Sequence, residues 1–207
     1  MFANRMDAGQ QLAKLLTAYA DASTTVVLGI PRGGVVVAAE VARELRLPLD
    51  IVFAAKVGAP GNPEYAIGAV TADGRLLANP EAGVDAQALE RAAAPAREKL
   101  ARQLRSLRGA RPPLDVTGLT TLVVDDGLAT GLTARAAVHY LRREGAARIV
   151  LAVPVAAVSS ANDLRREVDD FVAVDVPSSF FAVGQFYASF PQTEDAEVRN
   201  LLGIDAT

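Results

Sequence analysis

The sequence predicts an α/β fold built on a largely parallel central sheet flanked by helices, and three observations carry that expectation. Short apolar runs rich in β-branched residues, Thr24–Ile30, Leu119–Val124 and Arg148–Ala156, show no polar alternation, as strands buried on both faces do. Segments of helical period separate them, with Val37, Val41 and Leu45 spaced by four. At two places an apolar run passes through a glycine-containing turn straight into a helix, at Pro31-Arg32-Gly33-Gly34 and at Asp125–Gly131. Strand, turn and helix start make the half-unit of an open sheet whose strand carboxyl ends carry the ligand, joined by right-handed crossovers.

At 207 residues, 51% of them hydrophobic and 22% charged, the chain suits one domain with a sizeable core. The net charge of −3 argues against a general nucleic-acid or membrane-surface partner, so any anion site has to be local. Without cysteine there are no disulfides and no thiolate metal sites. The first residues, MFANRMDAGQ, lack a signal-peptide stretch and no run approaches a membrane span, which makes the cytoplasm the default location.

In chain order, residues 6–20 place Leu12, Leu15, Leu16 and Tyr19 on one helical face. The strand Thr24–Ile30 breaks at Pro31-Arg32-Gly33-Gly34 and the helix Val35–Leu45 follows. Pro48 stops that helix, and Leu49–Val57 reads as a second strand with Lys56 at its end. Two Gly and two Pro give Val57–Pro63 a loop composition. Tyr65–Val70 and Arg75–Ala78, joined through Ala72-Asp73-Gly74, form a hairpin. Asp85 caps a helix over about 86–108 with the apolar stripe Leu89, Ala93, Leu100, Leu104 and Leu107, which Pro95 kinks or restarts. Its basic residues, among them Arg91, Lys99 and Arg102, read as the solvated face of a lid helix, or more sharply as a basic surface for a partner or an acidic substrate. Beyond the central stretch, Thr133–Glu144 turns Ala134, Ala137, Val138 and Leu141 inward and leaves His139, the only histidine, at the surface. Gly145 ends that helix. Strands Arg148–Ala156 and Asp170–Val176 bracket a helix near Ser159–Val168. The tail gathers Phe180, Phe181, Phe186, Tyr187 and Phe190 before a last helix, Glu194–Leu202.

The chemistry concentrates in Leu119–Thr133, LTTLVVDDGLATGLT. The backbone N–H groups that open its helix have no internal partner, and the helix dipole adds roughly half a positive charge there. Gly131 permits a positive φ or a close approach, and Thr130 and Thr133 offer hydroxyls for a cap or a phosphate oxygen. Asp125 and Asp126 stand beside this anion hole and would repel a bare phosphate. A ligand with a phosphate at one end and hydroxyls or a metal at the other satisfies both, and ribose 5-phosphate is such a ligand. Upstream, the two glycines behind Arg32 make a backbone concavity with one permanent cation, suited to a polyphosphate or pyrophosphate.

VVDDGLATGLT resembles the phosphoribosyl pyrophosphate (PRPP) signature of type I phosphoribosyltransferases. The resemblance implies a type I phosphoribosyltransferase-like fold in a single domain over 1–207. Its core is about 24–57 and 115–177, with a mobile loop and helical insertion over about 58–114 and a small hood from 1–23 and 178–207. It implies that Asp125 and Asp126 hold the ribose diol and meet a metal only through ribose hydroxyls or water. Ala129, Thr130, Gly131, Leu132 and Thr133 would hold the 5′-phosphate, and Pro31, Arg32, Gly33, Gly34 and Lys56 the pyrophosphate, with a non-proline cis peptide at Pro31–Arg32. Arg32 and Lys56 would act in catalysis, Glu64 would be the base, and Phe180 or Phe181 would stack on the acceptor ring.

The implied function is a Mg²⁺-dependent transfer of ribose 5-phosphate from PRPP to a small nitrogen-containing, nucleobase-like acceptor, as in nucleotide salvage. No membrane and no nucleic acid are expected as partners, and a homodimer is compatible. The chain departs from the resemblance at Ala129, where hypoxanthine/guanine enzymes carry an Asp, and in VLAVPVAA, which lacks their Lys. It departs again at Ala55-Lys56, where adenine-type members commonly show Arg-Lys. The acceptor is therefore open. Two rival functions stay in view: a regulatory protein that senses PRPP without turnover, and a non-catalytic sugar-phosphate binding module.

Overall fold

The computed structural model describes residues 1–109 and 111–204, the side chains of Pro63 and Glu64 excepted. The chain runs α1 (Arg5–Leu15), β1 (Thr25–Gly29), α2 (Gly33–Leu45), β2 (Leu49–Ile51), β3 (Ala54–Ala59), β4 (Asn62–Thr71) and β5 (Leu76–Ala78). It continues through α3 (Ala86–Ala92), α4 (Ala94–Arg108), β6 (Thr120–Val124), α5 (Leu132–Arg143), β7 (Arg148–Val155), α6 (Val158–Leu164), β8 (Asp170–Asp175) and α7 (Asp195–Leu201).

Five strands form the central sheet in the order β2-β1-β6-β7-β8, every neighbouring pair parallel. Successive residues feed opposite cores, which is why these strands read as unbroken apolar runs. Val26, Leu28, Val123, Ile149, Leu151 and Val153 pack under α5. Val27, Leu122, Val124, Val150 and Ala152 pack under α1 and α2, against Leu12, Leu16, Val37, Val41 and Leu45. Each such leucine contributes roughly 1.5–3 kcal/mol by leaving water.

Three local expectations change. Leu15 is 53% exposed, because α1 is seated by the Leu12 and Leu16 stripe and ends one residue before Leu16. The run Leu49–Val57 is two strands. β2 pairs with β1, and β3 opens a second, antiparallel sheet with β4 and β5. An apolar run does not say which sheet it joins: Ile51, Phe53, Ala55 and Val57 face the core of α3 and α4, while Val52 and Ala54 face that of α5. Val57–Pro63 is not an open loop either, since β3 runs to Ala59 and β4 starts at Asn62.

The helical insertion follows its sequence closely. Asp85 accepts a hydrogen bond from the Ala88 amide at 2.9 Å, α3 and α4 break at Ala93, and Pro95 sits in the first turn of α4. Leu89, Ala93, Leu100 and Leu107 are buried against β3 and β4. Arg108 fixes the far end, donating to both oxygens of Asp50 at 3.0 and 3.2 Å and to the Ile51 carbonyl at 2.8 Å.

Candidate active site

From β1 the chain passes through α2 to β2 on one side, and from β6 through α5 to β7 on the other. The connections diverge between β1 and β6, so a crevice opens beyond the carboxyl ends of these two strands, the general ligand position in open α/β sheets. The turn after β1 carries Pro31–Gly34, and the turn after β6 carries Asp125–Gly131. The Pro31–Arg32 peptide is cis.

The two turns touch. A Cβ on Gly33 would lie 2.0 Å from Asp126 Oδ2, and one on Gly34 would lie 2.8 Å from Asp125 Cα and 2.9 Å from both Asp125 Oδ1 and the Val124 carbonyl oxygen. Only glycine lets the chain approach the acidic pair this closely.

Both carboxylates are withdrawn from open solvent. Asp125 Oδ1 accepts from the Asp126 amide at 2.8 Å. Asp126 Oδ2 accepts from Arg5 Nε, also at 2.8 Å. Burial pushes the Asp125 carboxyl well above its usual range, and the neighbouring Asp126 charge adds to this. Burial raises Asp126 too, but the Arg5 guanidinium beside it opposes the rise.

Arg5 comes from the first turn of α1, and its guanidinium lies 3.7 Å from the centre of the Phe190 ring while donating to the Pro191 carbonyl at 2.7 Å. Tyr187 donates its hydroxyl to the Asp126 carbonyl at 2.6 Å, and burial raises that phenol's pKa. Sequence reasoning missed Arg5 and the Asp126 contact of Tyr187. Both act across more than sixty positions, and no local spacing could have signalled them.

The second turn ends at Gly131, which caps α5 in a left-handed conformation, φ +68°. No side-chain hydrogen bond caps this helix, so neither Thr130 nor Thr133 takes the capping role open to it. Ser160, from α6, donates to the Ala129 carbonyl at 2.5 Å and so ties the turn to the next helix. Sequence reasoning did not single it out. Ala129, Thr130 and Leu132 line a cleft of about 660 Å³ with Tyr65, Asn79 and Arg135. His139 is half-buried on its wall, 3.1 Å from Glu167.

The remaining candidates are spread more widely. Arg32 is at the crevice, its Nη1 3.6 Å from Asp195 and 3.9 Å from Glu194. Lys56 is half-buried in β3 opposite Ala69, on the antiparallel sheet instead of at the end of a central strand. The Glu64 side chain lies outside the described residues. Phe180 packs on Phe186 at 5.2 Å, in the small aromatic core that Phe2 and Tyr187 also share. Phe181 is 89% exposed.

A hard cation such as Mg²⁺ takes several oxygen ligands. Among the described residues no group of three or more acidic or histidine side chains could hold one, and Arg5 already engages Asp126. The acidic pair is therefore not a metal cage by itself.

The fold and the crevice define a phosphoribosyltransferase-type domain. The chain belongs to that family: the phosphoribosyl transferase domain matches over residues 3–190. Two Mycobacterium tuberculosis proteins, each named "Putative phosphoribosyl transferase" (MT0597 and Rv0571c), are 41% identical over 202 residues. The match covers 96% of this chain and 45% of theirs, so the chain spans less than half the length of those relatives. Among solved structures, TT1426 from Thermus thermophilus is 43% identical over 97% of both chains, with a TM-score of 0.82. The AQ2163 protein from Aquifex aeolicus, 9% identical over 97% of this chain and 85% of its own, shares the fold alone at a TM-score of 0.53. No helix among the described residues is long and apolar enough to cross a membrane.

Proposed function

We propose that this domain transfers the ribose 5-phosphate group of PRPP to a nitrogen nucleophile and releases pyrophosphate. The observation that carries the proposal is the close packing of Gly33 and Gly34 on Asp125 and Asp126. It brings a cation-bearing turn and an acidic pair within the span of one ligand that has a diphosphate next to a diol.

In this reading Asp125 and Asp126 accept from the ribose hydroxyls. Arg5 occupies one oxygen of Asp126, and a carboxylate has acceptor capacity beyond that. The amides at 129–133, uncapped by any side chain, take the 5′-phosphate at the N-terminus of α5. Pro31–Gly34 binds the pyrophosphate, with Arg32 placed to stabilise charge as the C1′–O bond breaks and the acceptor nitrogen approaches C1′. Such a step needs oriented reactants and fixed charges more than covalent help. Lys56 assists at the pyrophosphate and Glu64 is the candidate base. Mg²⁺ belongs to the substrate, carried by the oxygens of PRPP. Phe181, the open ring of the hood pair, stacks on the acceptor, while Phe180 holds the hood together.

The experiment is incubation with radiolabelled PRPP, Mg²⁺ and a pooled set of nucleobases and small amines, read as nucleotide product and released pyrophosphate. Turnover supports the transferase. Tight PRPP binding without turnover assigns a sensor, and the absence of binding removes both.

A further inference from the structure

The basic face of α4 reads by composition as a solvated surface, and by charge as one open to a partner or an acidic substrate. Lys99, Arg102, Gln103 and Ser106 recur at i, i+3, i+4 and i+7, which puts them on one stripe of the helix. That stripe does not simply face solvent. It forms one wall of a cleft of about 680 Å³ whose other wall is Pro31, Arg32 and Gly33, with Arg5 also lining it.

We propose that Lys99 and Arg102 are ligands of the diphosphate end of PRPP, a second cationic wall facing the Arg32 turn. This rests on the PRPP reading above and extends it to an element outside the sheet.

The charge balance motivates the proposal. A pyrophosphate brings about three negative charges at neutral pH, and the Pro31–Gly34 turn supplies one side-chain cation, which already stands near Asp195 and Glu194. In the reading above Lys56 of β3 adds one more, and Ala55 before it is buried and uncharged, so two cations still face about three negative charges. Lys99 and Arg102 are both exposed. The ion pair of Arg102 is a loose helix-surface contact, 3.8 Å from Glu98, of a kind that solvent and salt largely screen. Both side chains can therefore turn to a ligand at little cost.

The wall is also fixed in place. Leu100 and Leu107 are buried on the neighbouring face, and Arg108 is tied to Asp50 and Ile51. Ser106 donates to Asp195 at 2.7 Å, holding α7 against α4. A cation presented by an anchored helix loses less entropy on binding than one on a free loop.

The test is calorimetric titration of the full chain with Mg²⁺-pyrophosphate and, separately, with ribose 5-phosphate, for the parent, Lys99→Gln, Arg102→Gln and the Arg91→Gln control. Arg91, exposed on α3, matches the charge change away from the cleft. The expected result is pyrophosphate affinity lower by at least about tenfold in each cleft variant, the size of one lost charge-assisted hydrogen bond, with ribose 5-phosphate affinity and the Arg91→Gln variant within about twofold of the parent. Unchanged pyrophosphate binding in both cleft variants, while the parent binds both ligands, overturns this inference and leaves the PRPP site standing. Equal weakening of the two ligands overturns it as well, because α4 would then act through the fold. A parent that binds neither ligand overturns the PRPP reading itself.

Discussion

Replacing Gly34 by alanine separates tertiary packing from local propensity. Gly34 lies near the start of α2, where helix propensity alone favours alanine by up to about 1 kcal/mol. The structure opposes this, because the new Cβ would sit 2.8 Å from Asp125 Cα and 2.9 Å from the Val124 carbonyl oxygen. Both are backbone atoms that cannot rotate away, so the two turns must move apart. Such overpacking costs about 1–3 kcal/mol, which in a chain of this length lowers Tm by about 2–12 °C. PRPP binding should fall by more than the stability does, since a shift of several tenths of an ångström separates Arg32 from the acidic pair. Thermal melts with and without Mg²⁺-PRPP measure both effects. A variant with raised Tm and parental PRPP affinity would show that the two turns are not held in contact and would refute the reasoning.

Further outcomes follow from individual contacts. Arg32→Ala should lower kcat ~10²–10³-fold, the typical effect of losing a preorganised donor, with ribose 5-phosphate binding unchanged; steady-state kinetics with a ligand titration tests this. Asp125→Asn should weaken PRPP binding and also flatten the acid side of the stability profile. Because the folded-state pKa of Asp125 lies above its ordinary value of 3.8, its contribution is complete below that value and lost as pH rises through the raised one. The Asn variant should accordingly lose less Tm than the parent as pH rises above about 4. Arg5→Met strands Asp126 and should cost up to about 3 kcal/mol, and much less in an Asp126→Asn background, a coupling that a double-mutant cycle measures. Phe181→Ala should leave Tm within about 1–2 °C, as exposed substitutions do, whereas Phe180→Ala should lower it visibly; equal Tm values would mean that Phe180 has no structural part in the hood.

What the sequence determined by itself was whatever short-range chemistry can specify. Unbroken apolar runs marked strands buried on both faces, and β1, β6 and β7, buried over nearly their whole length, bear that out. The same holds for the Asp85 cap and the break near Pro95. Val124 followed by Asp125 and Asp126 marked a strand end that carries polar groups, and Pro31–Gly34 a turn that could take an anion, because glycine, proline and paired acids have local conformational and electrostatic effects. Tertiary structure alone decided how these pieces meet. Leu49–Val57 divides between two sheets because hydrophobicity drives burial without specifying the partner. The packing of Gly34 on Asp125, the Arg5–Asp126 ion pair and the Tyr187 contact join residues separated by roughly sixty to more than a hundred and twenty positions. Those contacts carry no sequence period, since they exist only once β1 and β6 lie side by side and the two ends of the chain have closed over them.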